Sequence, residues 1–473
     1  MSKTALRITR EENFADWYQE LIKEGQLADI SCVRGCMVIK PYGYAIWENM
    51  KEAFDKKIKE LGVQNAYFPL LIPLEFLAKE AEHVEGFAKE CAVVTHHKLS
   101  IKDGKLQPDG ELEEPYVIRP TSETIIGNSF SKWINSYRDL PLKINQWANV
   151  MRWEKRTRLF LRTSEFLWQE GHTVFATEKE AEEDARKMLE AYNWFHKNFL
   201  AIYGLNGKKT EDEKFPGAVN TYSIESMMQD GKALQSCTSH NLGQNFAKSS
   251  EIKFTTEKGD IQYAYTSSWG SSTRMMGALF LSHSDDDGLV LPPSVAPYKA
   301  VIIPVIHDDE DKGRIMQYCE KLKNALGGRV LIDDSNKKPQ DKKWEWIKKG
   351  APIRIELGNK EVNSNSIFYV IRTDVMNKNV SSFDEFINNY NSILHNMQNN
   401  LLENNKKHLF DNTITVNNIN EISDIFENST KFVAIDKNLW KNEELEKIME
   451  KYSLSYRNIP FEIDGKVVIG KSY

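Results

Sequence analysis

The chain has 473 residues, of which 41% are hydrophobic and 11% aromatic, so it can bury two or three sizeable cores. It shows neither an apolar signal region near its start nor an uninterrupted apolar run of about twenty residues, and we expect a cytoplasmic protein that does not span a membrane. The formal net charge of -6 gives no general attraction for polyanions. A nucleic-acid partner would therefore have to meet a local basic patch.

The cysteines are odd in number and scattered: Cys32, Cys36, Cys91, Cys237 and Cys319. This pattern argues against a disulfide framework and fits a reducing compartment. Cys32 and Cys36 could form half of a metal site, but no second Cys or His pair at matching spacing completes it. We therefore expect buried free thiols.

Two amphipathic helices are predicted early in the chain, at FADWYQELIKE (14 to 24) and GYAIWENMKEAFDKKIKELG (43 to 62). NAYFPLLIP follows as a short β-rich run. Its Pro69 cannot donate to a sheet, so it belongs at an edge or strand end, where another chain can touch it. YVIRPTSETIIGNSFSKWINSY (116 to 137) predicts a strand, a turn and a helix, with Glu123 in the first helical turn.

Further strands are predicted at LKINQWANVMRWE, LFLRTSEFLWQE, KALQSCTSHNLGQ, IQYAYTSSWG and MMGALFLSH. They do not alternate strictly with helices, which favours a mostly antiparallel sheet flanked by helices. Neither GxGxxG nor GxxxxGK[ST] occurs between a strand and a helix, so the usual dinucleotide and P-loop sites are excluded.

The pattern changes after a proline-punctuated linker at 292 to 297. Strands and helices then alternate through KAVIIPVI, GRIMQYCEKLKNALG, RVLID, PIRIEL and SIFYVIR, which predicts a small α/β domain with a partly parallel sheet. An asparagine-rich helix is expected at 383 to 402, before a third small unit that ends at Tyr473. We place the domains at 1 to 289, 290 to 400 and 401 to 473.

The stretch MRWEKRTRLFLRTSEFLWQEGH (151 to 172) carries charges where a core strand should be apolar. If 160 to 172 is a strand, one face presents Arg162, Phe166, Trp168, Glu170 and His172. Arg152 and Glu154 have the same parity on the preceding strand, and KRTRLF forms the loop between them. Such a face could simply be exposed and salt-bridged, but aromatic rings between the charges favour a ligand site. Guanidinium groups, a stacking ring and a carboxylate suit a nucleoside triphosphate.

Several motifs, in order, resemble the prolyl-tRNA synthetases of class II, in the form shared by eukaryotes, archaea and some bacteria. They are IRPTSET (118 to 124), LRTSEFLWQEGHT (161 to 173), TSHNLGQNF (238 to 246), SSWGSSTR (267 to 274), GLVLPP (288 to 293) and GAPIRIELG (350 to 358). The resemblance implies an α+β catalytic domain with an antiparallel sheet, a small α/β anticodon-binding domain and a small α+β C-terminal domain. It also implies that the chain uses ATP to form prolyl-adenylate, and then transfers proline to the terminal adenosine of tRNA(Pro).

The resemblance also assigns roles. Arg152 and Arg274 would be catalytic, with Arg152 between the proline carboxylate and the α-phosphate of ATP. The proline site would contain Thr121, Glu123, Arg152, Trp168, Glu170, His172, His240, Ser268 and Gly270. The ATP site would contain Arg152, Glu154, Arg162, Thr163, Phe166, Gln235, Thr238, Ser272 and Arg274, with Gln235 reaching the phosphates through Mg²⁺.

Simpler interpretations exist for single residues. Thr121 and Glu123 could cap a helix, Arg274 could be an ordinary strand arginine, and His240 a core histidine. SDDDG (284 to 288) could suggest a metal loop, but a solvated turn is expected. The occurrence of the motifs in family order favours the functional roles for Thr121, Glu123, Arg274 and His240.

The chain departs from the family pattern in its second and third domains. PQDKKWEWIKKG (339 to 350) has Lys343 and Ile347 where the family usually has Phe and Glu, whereas Arg354 is retained. Lys343, Trp344 and Arg354 are the predicted anticodon contacts, although a solvated lysine-rich loop is the alternative. No cysteine follows Cys319, and Asn458 stands where a zinc ligand of the family is expected, so we predict no zinc site. Cys237 replaces a glycine that usually precedes Thr-Ser-His.

The segment GYAIW to YFPLLIP resembles the family's dimer-forming motif, so we expect a homodimer. Two alternatives were weighed: a class II synthetase for threonine, glycine or serine, and a synthetase-like RNA-binding or regulatory protein. A threonine enzyme would need zinc ligands in its amino-acid site, and TSET with WQEGH favours proline. A regulatory protein would be expected to lose the nucleotide-site arginines, but Arg152, Arg162 and Arg274 are present.

The spacing of the motifs predicts incomplete proofreading. From Gly171 to Ser267 the chain advances by 96 residues, too few for the large editing domain that typical bacterial members insert there. A pocket for proline rejects smaller amino acids by only about 10- to 200-fold, because missing methylene contacts discriminate weakly. We expect measurable alanine-dependent pyrophosphate exchange and no hydrolysis of Ala-tRNA by this chain. Deacylation of Ala-tRNA by the purified protein would contradict this expectation.

Overall fold

The computed structural model describes residues 4 to 77 and 90 to 473. The helices with both ends described are Phe14–Glu24, Pro41–Lys59, Glu123–Trp133, Glu178–Phe195, Asn245–Ser249, Arg274–His283, Asp309–Leu326, Pro339–Lys348, Asn359–Ser364, Phe383–Asp411, Asn420–Asn428 and Glu443–Tyr452. Both predicted early helices are therefore confirmed.

The strands fall into five sheets. They are β1 Ala28–Ile30, β2 Met37–Ile39, β3 Gln64–Asn65, β4 Leu71–Pro73, β5 Ala92–Lys102, β6 Lys105–Ile118, β7 Leu142–Met151, β8 Glu165–Phe175, β9 Gly204–Lys208, β10 Asn220–Met227, β11 Ala233–Gly243, β12 Lys253–Thr255, β13 Ile261–Tyr263, β14 Tyr265–Ser272, β15 Ala300–Pro304, β16 Val330–Ile332, β17 Ile353–Leu357, β18 Ser366–Ile371, β19 Asn379–Ser382, β20 Thr413–Thr415, β21 Phe432–Asp436, β22 Ser455–Pro460 and β23 Lys466–Gly470.

The largest sheet has the strand order β20-β21-β23-β22-β9-β10-β11-β14-β8-β7-β3. Every neighbouring pair from β23 to β7 is antiparallel. The helix Glu178–Phe195, started by a Thr177 capping box, packs against β11 and β14 with a buried face of Ala181, Ala185 and Met188. The predicted antiparallel sheet flanked by helices is thus confirmed.

A second sheet, ordered β16-β15-β17-β18-β19, forms the unit after the proline linker. β15 pairs in parallel with β16 and β17, and β18 and β19 continue antiparallel, as the alternating pattern predicts. The helix Phe383–Asp411 runs past residue 400, and β22 joins β9 of the large sheet. The proposed division into three domains stays a prediction.

The strand prediction for MMGALFLSH is wrong, because these residues belong to the helix Arg274–His283. All residues from Met275 to Leu281 are buried. A run that is apolar on every side shows neither helical nor strand periodicity, so the pattern cannot distinguish the two.

The prediction of one strand from 160 to 172 is also wrong in part. β7 ends at Met151 and β8 begins at Glu165, so Arg162 lies in the intervening loop. Reciprocal backbone hydrogen bonds between Arg158 and Arg162, 2.6 and 2.8 Å long, close a turn around Phe160, whose φ is +62°. The shared face therefore contains Phe166, Trp168, Glu170 and His172, and Arg162 reaches the site from the loop.

The acidic run SDDDG forms the predicted turn, but its carboxylates are paired and not simply solvated. Asp285 accepts two hydrogen bonds from the buried Arg372, at 2.5 and 2.8 Å, and Asp286 pairs with Arg10 at 3.1 Å. These contacts join the N-terminal segment, the turn after the helix Arg274–His283 and the five-stranded unit. The partners are far apart in sequence, so the local pattern could not reveal them.

No disulfide joins any of the five cysteines, all of which lie in the described part of the chain. Cys36, Cys237 and Cys319 are buried, but Cys32 is exposed in the turn between β1 and β2, contrary to the expectation of a buried thiol.

Candidate active site

A cavity of about 350 Å³ opens on the face of the large sheet at β8, β10, β11 and β14. The predicted residues that line it are Thr121, Glu123, Arg152, Phe166, Trp168, Glu170, His172, Gln235, Thr238, His240, Ser268, Gly270, Ser272 and Arg274. A second cavity of about 170 Å³ shares Arg152, Phe166, Ser272 and Arg274 with the first and is also lined by Glu154, Arg162 and Thr163. The structure thus brings every predicted proline and ATP residue to two adjoining cavities.

Strand register explains how distant motifs meet. Gln146, Glu170, Gly270 and Thr238 lie directly opposite one another across β7, β8, β14 and β11. Directly opposed residues point to the same face of a sheet, so one row supplies side chains from four parts of the chain. His172, Ser268 and His240 form a second row two residues away.

Gly171 separates Glu170 from His172 and faces the other side of β8. A Cβ atom there would lie 2.1 Å from the ring of Trp269. Only glycine lets this buried indole pack directly on the strand. The WQEGH motif therefore combines three cavity residues, Trp168, Glu170 and His172, with a packing position at Gly171.

The Glu170 carboxylate is 2% exposed and is surrounded by donors. Ser122 Oγ and Gln146 Nε2 donate to its Oε1 at 2.5 and 2.6 Å, and His172 Nε2 lies 3.1 Å from its Oε2. Burial alone would raise the pKa of Glu170, but these bonds outweigh burial and the net shift is downward. Burial would likewise lower the pKa of His172, but the Glu170 carboxylate raises it overall. The lowered pKa of Glu170 and the raised pKa of His172 both favour an ion pair between them.

Thr121 and Glu123 do not cap the helix Glu123–Trp133. The N-cap residue is Ser122, and its hydroxyl donates to Glu170 and not to the helix. Thr121 Oγ1 donates to the Glu123 carboxylate at the cavity wall. The capping interpretation is therefore wrong.

Arg152 lies where the two cavities meet. Its Nε donates to the Pro120 carbonyl at 2.7 Å, and its guanidinium lies 5.3 Å from the Trp168 ring centroid. Burial lowers the pKa of Arg152, and the carboxylates of Glu123 and Glu170 oppose that shift. A half-buried guanidinium with carboxylates on one side can bind an anionic group on its other side.

The smaller cavity is rich in positive charge. Arg274 Nε donates to the Leu161 carbonyl at 3.0 Å, and burial, with the nearby Arg162 and Arg152, lowers the pKa of Arg274 to about 10. Arg162 donates to the carbonyl oxygen of Tyr473 at 2.9 Å and lies 3.8 Å from Glu154. Three cations at one site favour a polyanionic ligand.

One wall of the larger cavity was not predicted. It consists of Lys209, Glu213, Lys214, Phe215, Pro216 and Thr221. The Phe215 ring lies 4.6 Å from that of His240, whose pKa falls to about 3 because of burial and the charge of His172. His240 is therefore neutral. The only sequence signal for this wall is the turn-forming FPG at 215 to 217.

The predicted anticodon residues lie in the five-stranded unit. Lys343 and Trp344 belong to the helix Pro339–Lys348, so the lysine-rich run is not a loop. Trp344 is exposed, with Lys343 5.9 Å from its ring. Arg354 is buried on β17 and pairs with Glu356 at 3.0 Å.

Comparison with known proteins matches both large units. Residues 105–283 match the family described as tRNA synthetase class II core domain (G, H, P, S and T), and residues 299–392 match the anticodon binding domain. The chain is 52% identical over 437 residues to the proline–tRNA ligase of Bdellovibrio bacteriovorus, covering 90% of this chain and 87% of that one. It is 48% identical over 475 residues to the ligase of Paramagnetospirillum magneticum, covering 98% and 95%. The chain belongs to the class II prolyl-tRNA synthetases.

A solved structure agrees with this assignment. Prolyl-tRNA synthetase from Cryptosporidium parvum, crystallised with halofuginone and AMPPNP, superposes with a TM-score of 0.90 at 38% identity and covers 99% of both chains. The activity of the family is the two-step attachment of proline to tRNA, which excludes a synthetase for threonine, glycine or serine. Of the described helices, none has the length and apolarity that crossing a membrane requires.

The Glu170–His172 pair predicts a pH-dependent stability. Because the pKa of His172 is raised in the folded state, protonation of His172 stabilises the fold. This stabilisation is fully present below the ordinary histidine pKa of about 6.5 and is lost as the pH rises through the raised pKa. We expect the melting temperature of the wild type to exceed that of His172→Gln most at about pH 5 to 6, with a shrinking difference towards pH 9. Differential scanning fluorimetry measures both. The exposed His307→Gln variant should match the wild type throughout, and a pH-independent deficit in His172→Gln would refute the ion pair.

Proposed function

We propose that the larger cavity binds L-proline and part of the ATP phosphate chain, that the smaller one binds the rest of ATP, and that Arg152 holds the reacting groups of both substrates together. The observation that carries this proposal is the position of Arg152 in the linings of both cavities. Carboxylates lie on its proline side, and Arg274 lines both cavities with it.

At the proline end, the Glu123 carboxylate and Thr121 would bind the cationic imino group. Trp168 would cover the proline ring. The pair of Glu170 and His172 would keep strand β8 rigid at the base of the cavity. Ser268 Oγ is buried and finds no hydrogen-bond partner among the described residues, so it can bond the ligand. Neutral His240 and Gly270 would shape the rest of the pocket.

At the ATP end, Phe166 would stack on adenine and Glu154 would accept a hydrogen bond from its amino group. Glu154 is ordered for this by the backbone N–H of Arg156, which donates to its Oε1 at 2.8 Å. Arg162 and Arg274 would bind the phosphates. Thr163, Thr238 and Ser272 would supply hydroxyl groups around the nucleotide.

The chemistry then needs position and charge, without a covalent nucleophile from the protein. A proline carboxylate oxygen attacks the α-phosphorus in line, and pyrophosphate leaves with the electrons of the broken P–O bond. A terminal ribose hydroxyl of tRNA(Pro) next attacks the prolyl carbonyl, and AMP leaves. Arg152 would stabilise the charge that builds on the α-phosphate, and Arg274 that on the leaving pyrophosphate.

Mg²⁺ fits this site as a partner of the phosphates. Among the described residues no group of three or more His, Cys, Asp or Glu could hold a metal by itself. Mg²⁺ in phosphate-transfer sites needs few protein ligands, because phosphates and water complete its shell. The amide oxygen of Gln235 in the cavity wall suits that minimal role, and the ion would neutralise phosphate charge.

The exposed Trp344 would stack on an anticodon base, and the half-buried Lys343 would attract a phosphate. Arg354 would contribute from the underlying strand through its pair with Glu356. We also propose a cytoplasmic homodimer joined through the segment around Pro69. Tyr67 in that segment is 76% exposed, whereas the next residue, Phe68, is buried. A large exposed ring on an anchored segment suits an interface.

Replacing Arg152 tests the proposed chemistry. We expect Arg152→Ala to reduce proline-dependent ATP–pyrophosphate exchange on the order of a hundredfold or more, because charge stabilisation at the α-phosphate is lost. Arg138→Ala, at an exposed site, should retain the wild-type rate. Exchange by Arg152→Ala at a near wild-type rate would refute the role.

Replacing Tyr67 tests the interface. We expect Tyr67→Asp to shift the molar mass from dimer to monomer in light scattering after size exclusion, because the interface would bury an unpaired carboxylate. Ile261→Asp introduces the same charge at another exposed apolar residue and should leave the dimer intact. A monomeric wild type, or a dimeric Tyr67→Asp variant at low micromolar concentration, would contradict the proposal.

A further inference from the structure

A buried charge cluster lies beside the larger cavity, at the junction of β10 and β22. Glu225 on β10 is 0% exposed. Lys209 Nζ contacts its Oε1 at 2.9 Å, and Arg457 on β22 donates to its Oε2 through Nη2 and Nε at 2.8 and 3.1 Å. Ser223 Oγ also donates to Oε1, at 3.0 Å. Two cations thus share one carboxylate, and the cluster carries one net positive charge.

That excess charge faces the ligand site. Lys209 is itself part of the cavity lining. Glu225 lies directly opposite Gln235, another lining residue, and opposed residues share a face of the sheet. A buried net charge is costly unless something compensates it. The cavity offers a place for an anion to do so.

Arg457 controls how much of that charge is available. With both cations bound, each carboxylate oxygen has its own cation and the ammonium of Lys209 remains only partly neutralised. Without Arg457, Lys209 and Glu225 would form a neutral pair. The charge of Arg457 also contributes to the lowered pKa of Arg274, so the two cations act on one another.

We propose that Arg457 is a positioning residue for ATP, which acts through Glu225 to keep Lys209 available to the β- and γ-phosphates. The inference rests on the proposed ATP site and extends it to a residue of the C-terminal unit. The ligand class is an inorganic or nucleotide polyphosphate. Such a group carries several negative charges, so it can compensate the excess positive charge of the cluster.

The test compares the Michaelis constants of purified full-length variants in ATP–pyrophosphate exchange. We expect Arg457→Met to raise the KM for ATP and for pyrophosphate by about tenfold, with the KM for proline within about twofold of wild type. Arg457→Lys, which keeps the charge, should recover most of the affinity. Glu225→Gln combined with Arg457→Met restores one net positive charge and should also recover the KM for ATP.

A purely structural role of Arg457 gives a different pattern. It would lower the melting temperature and kcat, leave the KM for ATP unchanged, and allow no recovery in the double variant; that result would overturn the proposal. If Arg457→Met does not fold, Lys209→Met carries the same expectation of an ATP-specific defect, and an unchanged KM for ATP would be equally decisive. Lys451→Met removes an exposed lysine of the same unit and should match the wild type. Failure of the wild type to catalyse proline-dependent exchange would instead refute the proposed function.

Discussion

The site depends on a half-buried guanidinium that is fixed in place by hydrogen bonds. Arg152 is held by two other segments, because its Nε donates to the Pro120 carbonyl and its backbone N–H donates to the Ser164 carbonyl at 2.8 Å. A cation that is partly removed from water is stabilised by compensating charge, which Glu123 and Glu170 supply. Glu170 in turn is bonded by Ser122 and Gln146 from two other segments and by His172 from its own strand. The hydrogen bonds and opposite charges that neutralise Arg152 and Glu170 therefore also hold these segments of the catalytic unit together. An anionic substrate adds one more charge to groups that are already in place.

The same network reaches the segment proposed for dimer formation. Arg119, 2% exposed, donates to the Phe68 carbonyl at 2.8 Å and to the Asn149 carbonyl at 2.7 Å. Its own carbonyl accepts the N–H of Met151 at 3.1 Å, one residue before Arg152. The backbone beside Tyr67 is thus two hydrogen-bonded steps from the backbone that carries Arg152. A partner chain that ordered residues 66 to 70 would therefore also restrain the Arg152 backbone, so the proposed dimer and the proposed site would be connected by hydrogen bonds.

Local pattern was informative where the chain is regular. The alternation of Trp168, Glu170 and His172 placed three site residues on one face because β8 is an uninterrupted strand. The same reasoning failed for Arg162, where a turn interrupts the alternation, and for the helix Arg274–His283, whose apolar run has no period. The Asp285–Arg372 pair could not be predicted, because its residues are distant in sequence. For the cavity wall between Lys209 and Thr221, the turn-forming FPG was the only local signal, and it predicts a turn without a ligand. The roles of these residues follow from the family motifs. Strand parity alone predicts which side chains share one face of the sheet, and it does not predict which ligand that face binds.

The C-terminal unit is attached to the catalytic sheet by strand pairing and by buried polar contacts. A unit of this size buries little core by itself and usually needs a metal, disulfides or a partner surface. Here β22 pairs with β9, so the unit completes its sheet on the catalytic one. Asn458, at the position expected for a zinc ligand, donates its side-chain amide to the Leu205 carbonyl at 2.9 Å. Its neighbour Arg457 forms the buried pair with Glu225. The strand pairing and the Arg457–Glu225 pair that attach the unit therefore also bring the charge of Arg457 to the proposed ATP site. Selection for a stable attachment would also preserve that charge.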